Sequence, residues 1–363
     1  MLTNYKESGG KMNTLIIPCA GKSTRFPNMK PKYMLTHPDG KLMIEKSLEN
    51  INCDVFDRII ITIVRPHAEQ YEADIIMKQV FANNPKVELC ILENFTSSAS
   101  ETIYLTLKKM KVQGSIVIKD SDNRVGVQFE NIISNMIVGY DLQQHPNVSN
   151  IPGKSFLILN GNRQVVDIVE KKIVSNIICL GVYCFSNADA FIQAYMALQN
   201  QKEVRELFIS NLISFMIKSQ KQSFTSKMAY VYDDWGTLNE WINEQKKCRT
   251  YFVDVDGVII KNSGKYGRVN WYNNSTLLQD NIQFLKLLQE AGAQIIITTS
   301  RPEEFRAGLE KIFSTVGLKP YAILMGLNHA ARLVINDFAP TNPYPSCMAI
   351  SLPRNGKISE YFR

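Results

Sequence analysis

Apolar residues along the first 125 positions fall in short continuous runs. "TLIIPCA", "RIIITIV", "VELCIL" and "SIVIKD" are four of them, and each reads as a buried strand of about six residues. Between them, 67–82 and 101–111 place apolar residues at helical spacing. Strands that alternate with helices predict a mostly parallel sheet covered on both faces. Ligands of such sheets bind beyond the carboxyl ends of the strands. "CAGKSTR" follows the first strand and "KDSDN" follows the fourth, so both belong on that rim. From 126 to 185 the pattern becomes more antiparallel: "SFLILNGN", "QVVDIVEK" and "NIICLGVYCF", with a turn at Asn160-Gly161-Asn162. Helices are expected over about 187–199 and 203–219, and "MAYVYDDWGTLNEW" reads as a strand turning into a helix. The polar stretch "NEQKKCRT" then leads into a new apolar strand, "YFVDVDGVII". The α/β alternation restarts there, with a helix over 276–290 stopped by Gly292, the strand "AQIIITTS", a helix after Pro302, and strands "YAILM" and "RLVIND". The expected fold class is α/β with two Rossmann-like domains, 1–247 and 248–363, the first with a mixed sheet and the second smaller.

The chain has 363 residues, which suits two cores rather than one. No apolar run approaches the roughly 18 residues a membrane helix needs, so membrane insertion is not expected. "MLTNYKESGGK" lacks a signal-peptide core and reads as a leader, with Met12 an alternative start. The net charge of +7 is scattered over short runs such as "LKKMK" and "QKKCR". Nucleic-acid binders concentrate charge on one face, so small anions are the expected partners and nucleic acid is not. The seven cysteines form no C-x-x-C pair, which fits a reducing, cytoplasmic setting. Cys179 and Cys184 lie in an apolar run and read as core. The four histidines are spread over 37, 67, 145 and 329, which argues against a histidine-rich zinc site.

Gly21-Lys22-Ser23 imitates the end of a Walker A loop. That loop needs a glycine five residues before Gly21, and Ile16 stands there. What remains is a turn of small residues (Cys19, Ala20, Gly21), hydroxyls at Ser23 and Thr24, and the cations Arg25, Lys30 and Lys32. Backbone N–H groups and cations at a strand end make an anion site.

Four blocks resemble the sugar-nucleotide pyrophosphorylase (nucleotidyltransferase) family over residues 13 to about 245. "PCAGKSTRF…KPKYML" is similar to its glycine-rich signature followed by P-K-x-L. Asp120 and Asp122 end a strand. "VDIVEKK" followed by "NIICLGVYCF" is similar to its E-K and N-x-G-x-Y segments. Asp234-Trp235-Gly236-Thr237 is similar to D-x-G-T. Singly, Gly21 reads as a turn, Asp120 and Asp122 as a turn cap, and Asp233-Asp234 as an N-cap; four blocks in the family's order outweigh those readings. The resemblance implies that a phosphate monoester, a small phosphorylated sugar or alcohol, attacks a nucleoside triphosphate and expels pyrophosphate. Both reactants are anions, so charge must be neutralised and the two held in line. It implies Mg²⁺ on Asp120 or Asp122 together with Asp234, triphosphate contacts from Ala20, Gly21, Ser23, Thr24, Arg25 and Lys32, and an acceptor phosphate gripped by Lys171. Base recognition would fall on "FTSSASET", with Ser100 or Glu101 at its edge. The signature's second glycine is Ser23 here, where a Cβ restricts backbone approach to a phosphate. The compact first domain looks more like the cytidylyltransferases of small phosphates, which favours CTP.

Residues from about 249 resemble the haloacid dehalogenase superfamily of phosphatases. "YFVDVDGVI", "IIITTSRP" and "RLVINDF" are similar to its first, second and fourth motifs. The resemblance implies Asp254 as nucleophile and Asp256 as acid and base, with Gly257 turning the chain. It implies Thr299 on the phosphoryl oxygens and Mg²⁺ held by Asp254, the Asp256 carbonyl and Asp337. The third-motif cation is Arg332 or Lys319, with Arg332 favoured. The short interval between Asp256 and Thr299 implies minimal or no cap, with Tyr266, Trp271 and Tyr272 the local lid residues or, alternatively, packing residues. A phosphatase beside a transferase suits sequential steps toward an activated building block of a surface glycan, a setting that rests on family analogy. Two alternatives stay open: a second domain that no longer hydrolyses, and a binding protein that senses nucleotide sugars. Self-association into a homo-oligomer is also left open.

Overall fold

The computed structural model describes residues 12–130, 134–145, 148, 150–199, 206–264, 268–273, 276–339 and 346–362. The chain divides into two compact units, Met1–Glu240 and Trp241–Arg363.

In the first unit β1 (Asn13–Pro18), helix α1 (Met43–Leu48), β2 (Arg58–Val64), α2 (Arg65–Tyr71), α3 (Ala73–Val80), β3 (Val87–Leu92), α4 (Ala99–Lys109) and β4 (Ser115–Lys119) alternate. β5 (Asn123–Gly126), β6 (Met136–Asp141), β7 (Ser155–Leu159), β8 (Val165–Glu170) and β9 (Ile177–Phe185) follow. Then come α5 (Ala188–Gln199), α6 (Ile209–Lys218), β10 (Thr225–Met228), β11 (Val231–Asp234) and α7 (Leu238–Lys247), within which the two units divide. The main sheet runs β10-β6-β9-β4-β1-β2-β3, with β7 and β8 attached beside β9. β4, β1, β2 and β3 are parallel, whereas β9 runs antiparallel to β4 and β6. The result is a large mixed sheet.

The continuous apolar runs have a simple cause. Leu15 and Ile17 pack on one face of the sheet, and Ile16 packs on the other. Both faces are covered, so β1 has no solvent side to mark with polar residues. A separate two-stranded ladder pairs β5 with β11 and sets Asn123 opposite Asp234. The helix expected over 67–82 is two helices. Glu72 between them takes φ 52°, a left-handed conformation that ends α2, and no glycine marks the break.

α2 places His67 in the core, 5% exposed, where its Nδ1 meets the Tyr33 hydroxyl at 3.2 Å and its ring lies against Tyr71 and Phe95. Burial pushes its pKa from 6.5 down to about 4. The folded chain therefore resists a proton that the unfolded chain accepts. Stability is fully present above pH 6.5 and is lost as pH falls toward 4, on the order of 3 kcal/mol. His67→Gln is expected to flatten that stretch of the stability curve, followed by urea melts at stepped pH. An unchanged slope would exclude His67 as its source.

The second unit holds β12 (Thr250–Asp254), α8 (Arg268–Asn273), α9 (Gln279–Glu290), β13 (Gln294–Thr298), α10 (Arg306–Val316) and β14 (Ala322–Leu324). Its sheet is parallel in the order β12-β13-β14, over a core that includes Val255, Ile282, Ile297 and Phe313. The strand expected at "RLVIND" is not formed. Residues 331–339 have no regular structure, and Leu333 and Ile335 are 85% and 87% exposed. The run has an apolar pattern, but no strand among the described residues pairs with its backbone.

Candidate functional site

β1 ends at Pro18, and the chain turns through the small residues predicted to face an anion. Cys19 N–H donates to the Thr62 carbonyl at 2.7 Å, and the Ala20 carbonyl accepts from Thr96 N–H at 3.2 Å. A methyl group on Gly21 would meet nothing within 4 Å, so the turn is open at that point. Ser23 takes φ 52°, a region where glycine is unstrained and other residues are not. Its hydroxyl accepts a hydrogen bond from Lys32 N–H at 3.3 Å, which offsets part of that strain. Thr24 is exposed beside Arg25.

Lys32 Nζ then reaches across to Asp122 Oδ2 at 2.5 Å, and Arg25 lies 3.8 Å from the same oxygen. Burial alone would raise the Asp122 pKa, but Lys32 and Arg25 outweigh it and hold the carboxyl well below its usual range. The β5–β11 ladder brings Asp234 to the same place. A methyl group on Gly236 would sit 3.1 Å from Asp234 Oδ1, 3.3 Å from Asp122 Oδ2 and 3.6 Å from Arg25 Nη1. The two carboxylate oxygens are thus separated by no more than the first two of those distances combined. Asp234 carries its own counterion, Lys154, whose side chain is 13% exposed. Lys154 also lies over the Tyr232 ring at 5.6 Å, and burial lowers its pKa against the pull of Glu240 and Asp122.

Asp120 occupies a different position. Its carboxylate lies against Gly181, where any Cβ would overlap it, and its N–H donates to the Gly181 carbonyl at 2.9 Å. Burial, with the nearby Asp122 charge, raises its pKa to about 6. The loop from 120 to 123 is held from below by Lys119. That fully buried ammonium donates to the carbonyls of Asp120 and Asn123, at 2.6 and 2.9 Å, and to Asn123 Oδ1. Burial depresses its pKa to about 8.

Several expected residues are engaged elsewhere. Ser100 is fully buried and donates to the Leu207 carbonyl. The Glu101 carboxylate accepts from the Ser97 N–H and hydroxyl at 2.6 Å each, at the start of α4. Lys171 lies over the Phe208 ring at 4.3 Å. Magnesium was expected on Asp120 or Asp122 together with Asp234, and in the second unit on Asp254, the Asp256 carbonyl and Asp337. Among the described residues no three His, Cys, Asp or Glu side chains are placed to share an ion. In the first unit Asp120 packs against Gly181, and of the two alternatives it is Asp122 that meets Asp234 beside Gly236.

In the second unit Asp254 closes β12 opposite Thr298 of β13. Asp254 has its pKa raised by burial, while Arg332 and His329 act electrostatically to lower it. Asp256 is held by Arg301, a guanidinium 3% exposed, through two hydrogen bonds of 2.7 and 3.0 Å. Thr299 is buried, and its hydroxyl accepts from Arg301 N–H at 3.1 Å. Arg332 donates to the carbonyls of Asn328 and Ala330 and to the Ser300 hydroxyl. Lys319 N–H is bound by the Gln289 side chain. Asp337 lies on the irregular segment, its carbonyl accepting from Ser346. Trp271 and Tyr272 pack on Phe305 with centroids 5.5 and 4.9 Å away, and Tyr266 lies outside the described residues. Arg301 was missed by sequence reading, although it directly follows the strand-end "TTS".

No protein-family model and no curated protein matches the chain. Solved structures do. A nucleoside-diphosphate-sugar pyrophosphorylase from Vibrio cholerae RC9 superposes with a TM-score of 0.54 at 21% identity, covering 63% of this chain and 98% of that one. The first unit has that fold. The inositol-1-phosphate CTP transferase from T. maritima matches at a TM-score of 0.49 and 12% identity, over 65% of this chain and 96% of that one. A UDP-glucose pyrophosphorylase complexed with UDP-glucose matches at 0.49 and 15%, over 64% and 97%. No helix among the described residues is long and apolar enough to cross a membrane.

Proposed function

We propose that the first unit transfers a nucleotidyl group from a nucleoside triphosphate to a small phosphate monoester, with release of pyrophosphate. The observation that carries this reading is the convergence of Asp122, Asp234 and Arg25 on Gly236. Two acids and a guanidinium meet there around the smallest side chain, beyond the ends of β4 and β11. Arg25, Lys32 and the turn from Ala20 to Thr24 form the wall that would take the triphosphate. Their charges lie where negative charge builds on the leaving pyrophosphate.

The pair also fits magnesium. Both carboxylates face one small-residue position, and each is now countered by a lysine cation. Magnesium is held through one or two carboxylates plus substrate phosphates. Asp122 and Asp234 would hold it, and it would neutralise phosphate charge when bound. CTP is the expected triphosphate, on the resemblance to compact cytidylyltransferases; the acceptor class is a sugar or alcohol phosphate.

The second unit supports a second reading, phosphomonoester hydrolysis through an aspartyl phosphate at Asp254. It is favoured by Asp254 and Thr299 at adjacent strand ends and by Arg332 acting on Asp254. The Asp256–Arg301 pair must open before Asp256 can donate a proton.

One experiment addresses both units. The full chain is incubated with Mg²⁺, each of four triphosphates and a panel of phosphate monoesters, and pyrophosphate, inorganic phosphate and nucleotide products are followed. Pyrophosphate with at least one pair is expected, as is phosphate release that Asp254→Asn abolishes without touching pyrophosphate release. Thermal stabilisation by CTP and Mg²⁺ without any product would mark a nucleotide sensor instead. Phosphate release that survives Asp254→Asn would overturn the second reading.

A further inference from the structure

Lys171 is the lysine that the family resemblance implies for the acceptor phosphate, yet its ammonium lies over Phe208. The two positions are linked, because Lys171 N–H donates to the Lys154 carbonyl at 3.0 Å. At the open end of the β7–β8 hairpin, where Ser155 pairs with Glu170, one lysine turns away and the other turns inward, onto Asp234.

We propose that Lys154 grips the phosphate of the attacking monoester, exchanging Asp234 for that phosphate when the acceptor arrives. This rests on the reading of the first unit as a nucleotidyltransferase. Charge supplies the first argument. Asp122 and Asp234 are matched in the structure by Lys32 and Lys154, with Arg25 beside them. A cation that claims both carboxylates leaves two lysines without partners. Lys154 is mostly buried, and a buried ammonium stripped of its anion is strongly disfavoured. An anion must take Asp234's place at that point.

Position decides which anion. Lys32 and Arg25 belong to the chain that follows β1, together with the open turn at Gly21. Lys154 stands just before β7 and pairs with Asp234, whereas Lys32 and Arg25 pair with Asp122. Attacking and leaving oxygens lie on opposite sides of a transferring phosphorus. If Arg25 and Lys32 cover the leaving pyrophosphate, Lys154 is the cation left for the phosphate of the nucleophile. Tyr232 beneath the ammonium gives it a second resting contact during the exchange.

Calorimetric titration of inorganic phosphate tests this, using the full chain with Mg²⁺ and a non-hydrolysable CTP analogue. Wild type, Lys154→Met, Lys154→Arg and Lys171→Met are compared, each checked by thermal melting. Loss of one charged contact to phosphate is expected to weaken phosphate binding about tenfold to a hundredfold in Lys154→Met. Lys154→Arg should recover most of it, Lys171→Met should stay within about twofold, and affinity for the analogue should not change. Unaltered phosphate affinity in Lys154→Met, or a loss confined to Lys171→Met, overturns the proposal. So does a wild type that binds the analogue but no phosphate. A wild type that binds phosphate through Lys154 but no nucleotide instead overturns the nucleotidyl-transfer reading and leaves the assignment of Lys154 as a phosphate ligand intact.

Discussion

Asp122→Asn is expected to lower kcat for nucleotidyl transfer by about a thousandfold, the scale seen when a preorganised charge contact to a transition state is removed. The amide keeps the size of the carboxylate but loses its charge. Lys32 at 2.5 Å and Arg25 at 3.8 Å then repel each other and any cation offered to the site. Triphosphate binding should change far less than turnover, because both cations remain. Asp234→Asn should fall to a similar level. The double variant should be little worse than either single one, since the two acids act as a unit. Pyrophosphate release measures the first quantity and calorimetry with a non-hydrolysable triphosphate the second. Turnover within tenfold of wild type in either single variant would remove that acid from the chemistry.

Gly181→Ala carries the largest expected loss of stability. Gly181 takes φ +68°, a region in which a Cβ costs about 1 kcal/mol. The added methyl would also overlap the Asp120 carboxylate, and overpacking of this kind costs about 1–3 kcal/mol more. Together these correspond to a fall in the first unit's melting temperature of roughly 5–15 °C. Adding Asp120→Ala removes the overlapping group and should restore the steric part, leaving the backbone part. The double-mutant cycle isolates the coupling. If Gly181→Ala is as damaging in the Asp120→Ala background as in the wild type, the contact does not carry the effect.

Much of the fold was readable along the chain because buried strands and amphipathic helices leave local signals. β1, β2, β3, β4 and β9 stand where apolar runs placed them. The site was readable in part. Asp122 and Asp234 lie at the ends of strand-like runs, and Arg25 and Lys32 lie in the small-residue and basic segment that follows β1. Lys154 was not readable, because its partner is 80 residues away and nothing around it departs from an ordinary turn. Lys119 did carry a signal, a lysine inside the run "SIVIKD", and its meaning needed the loop it holds. The break at Glu72 was hidden because a glutamate rarely takes positive φ. "RLVIND" misled for the opposite reason: its pattern suits a strand, but pairing depends on a neighbour that no local pattern supplies.

Asp122 and Asp234 are fastened to each other through main chain. Trp235 N–H donates to the Asp122 carbonyl, and Asp234 stands opposite Asn123. Mutational drift that tilts the large sheet or repacks its helices would therefore carry both acids along like two teeth on one comb. The gap between them is set by peptide geometry, and the surrounding interior can be rewritten extensively before that gap changes.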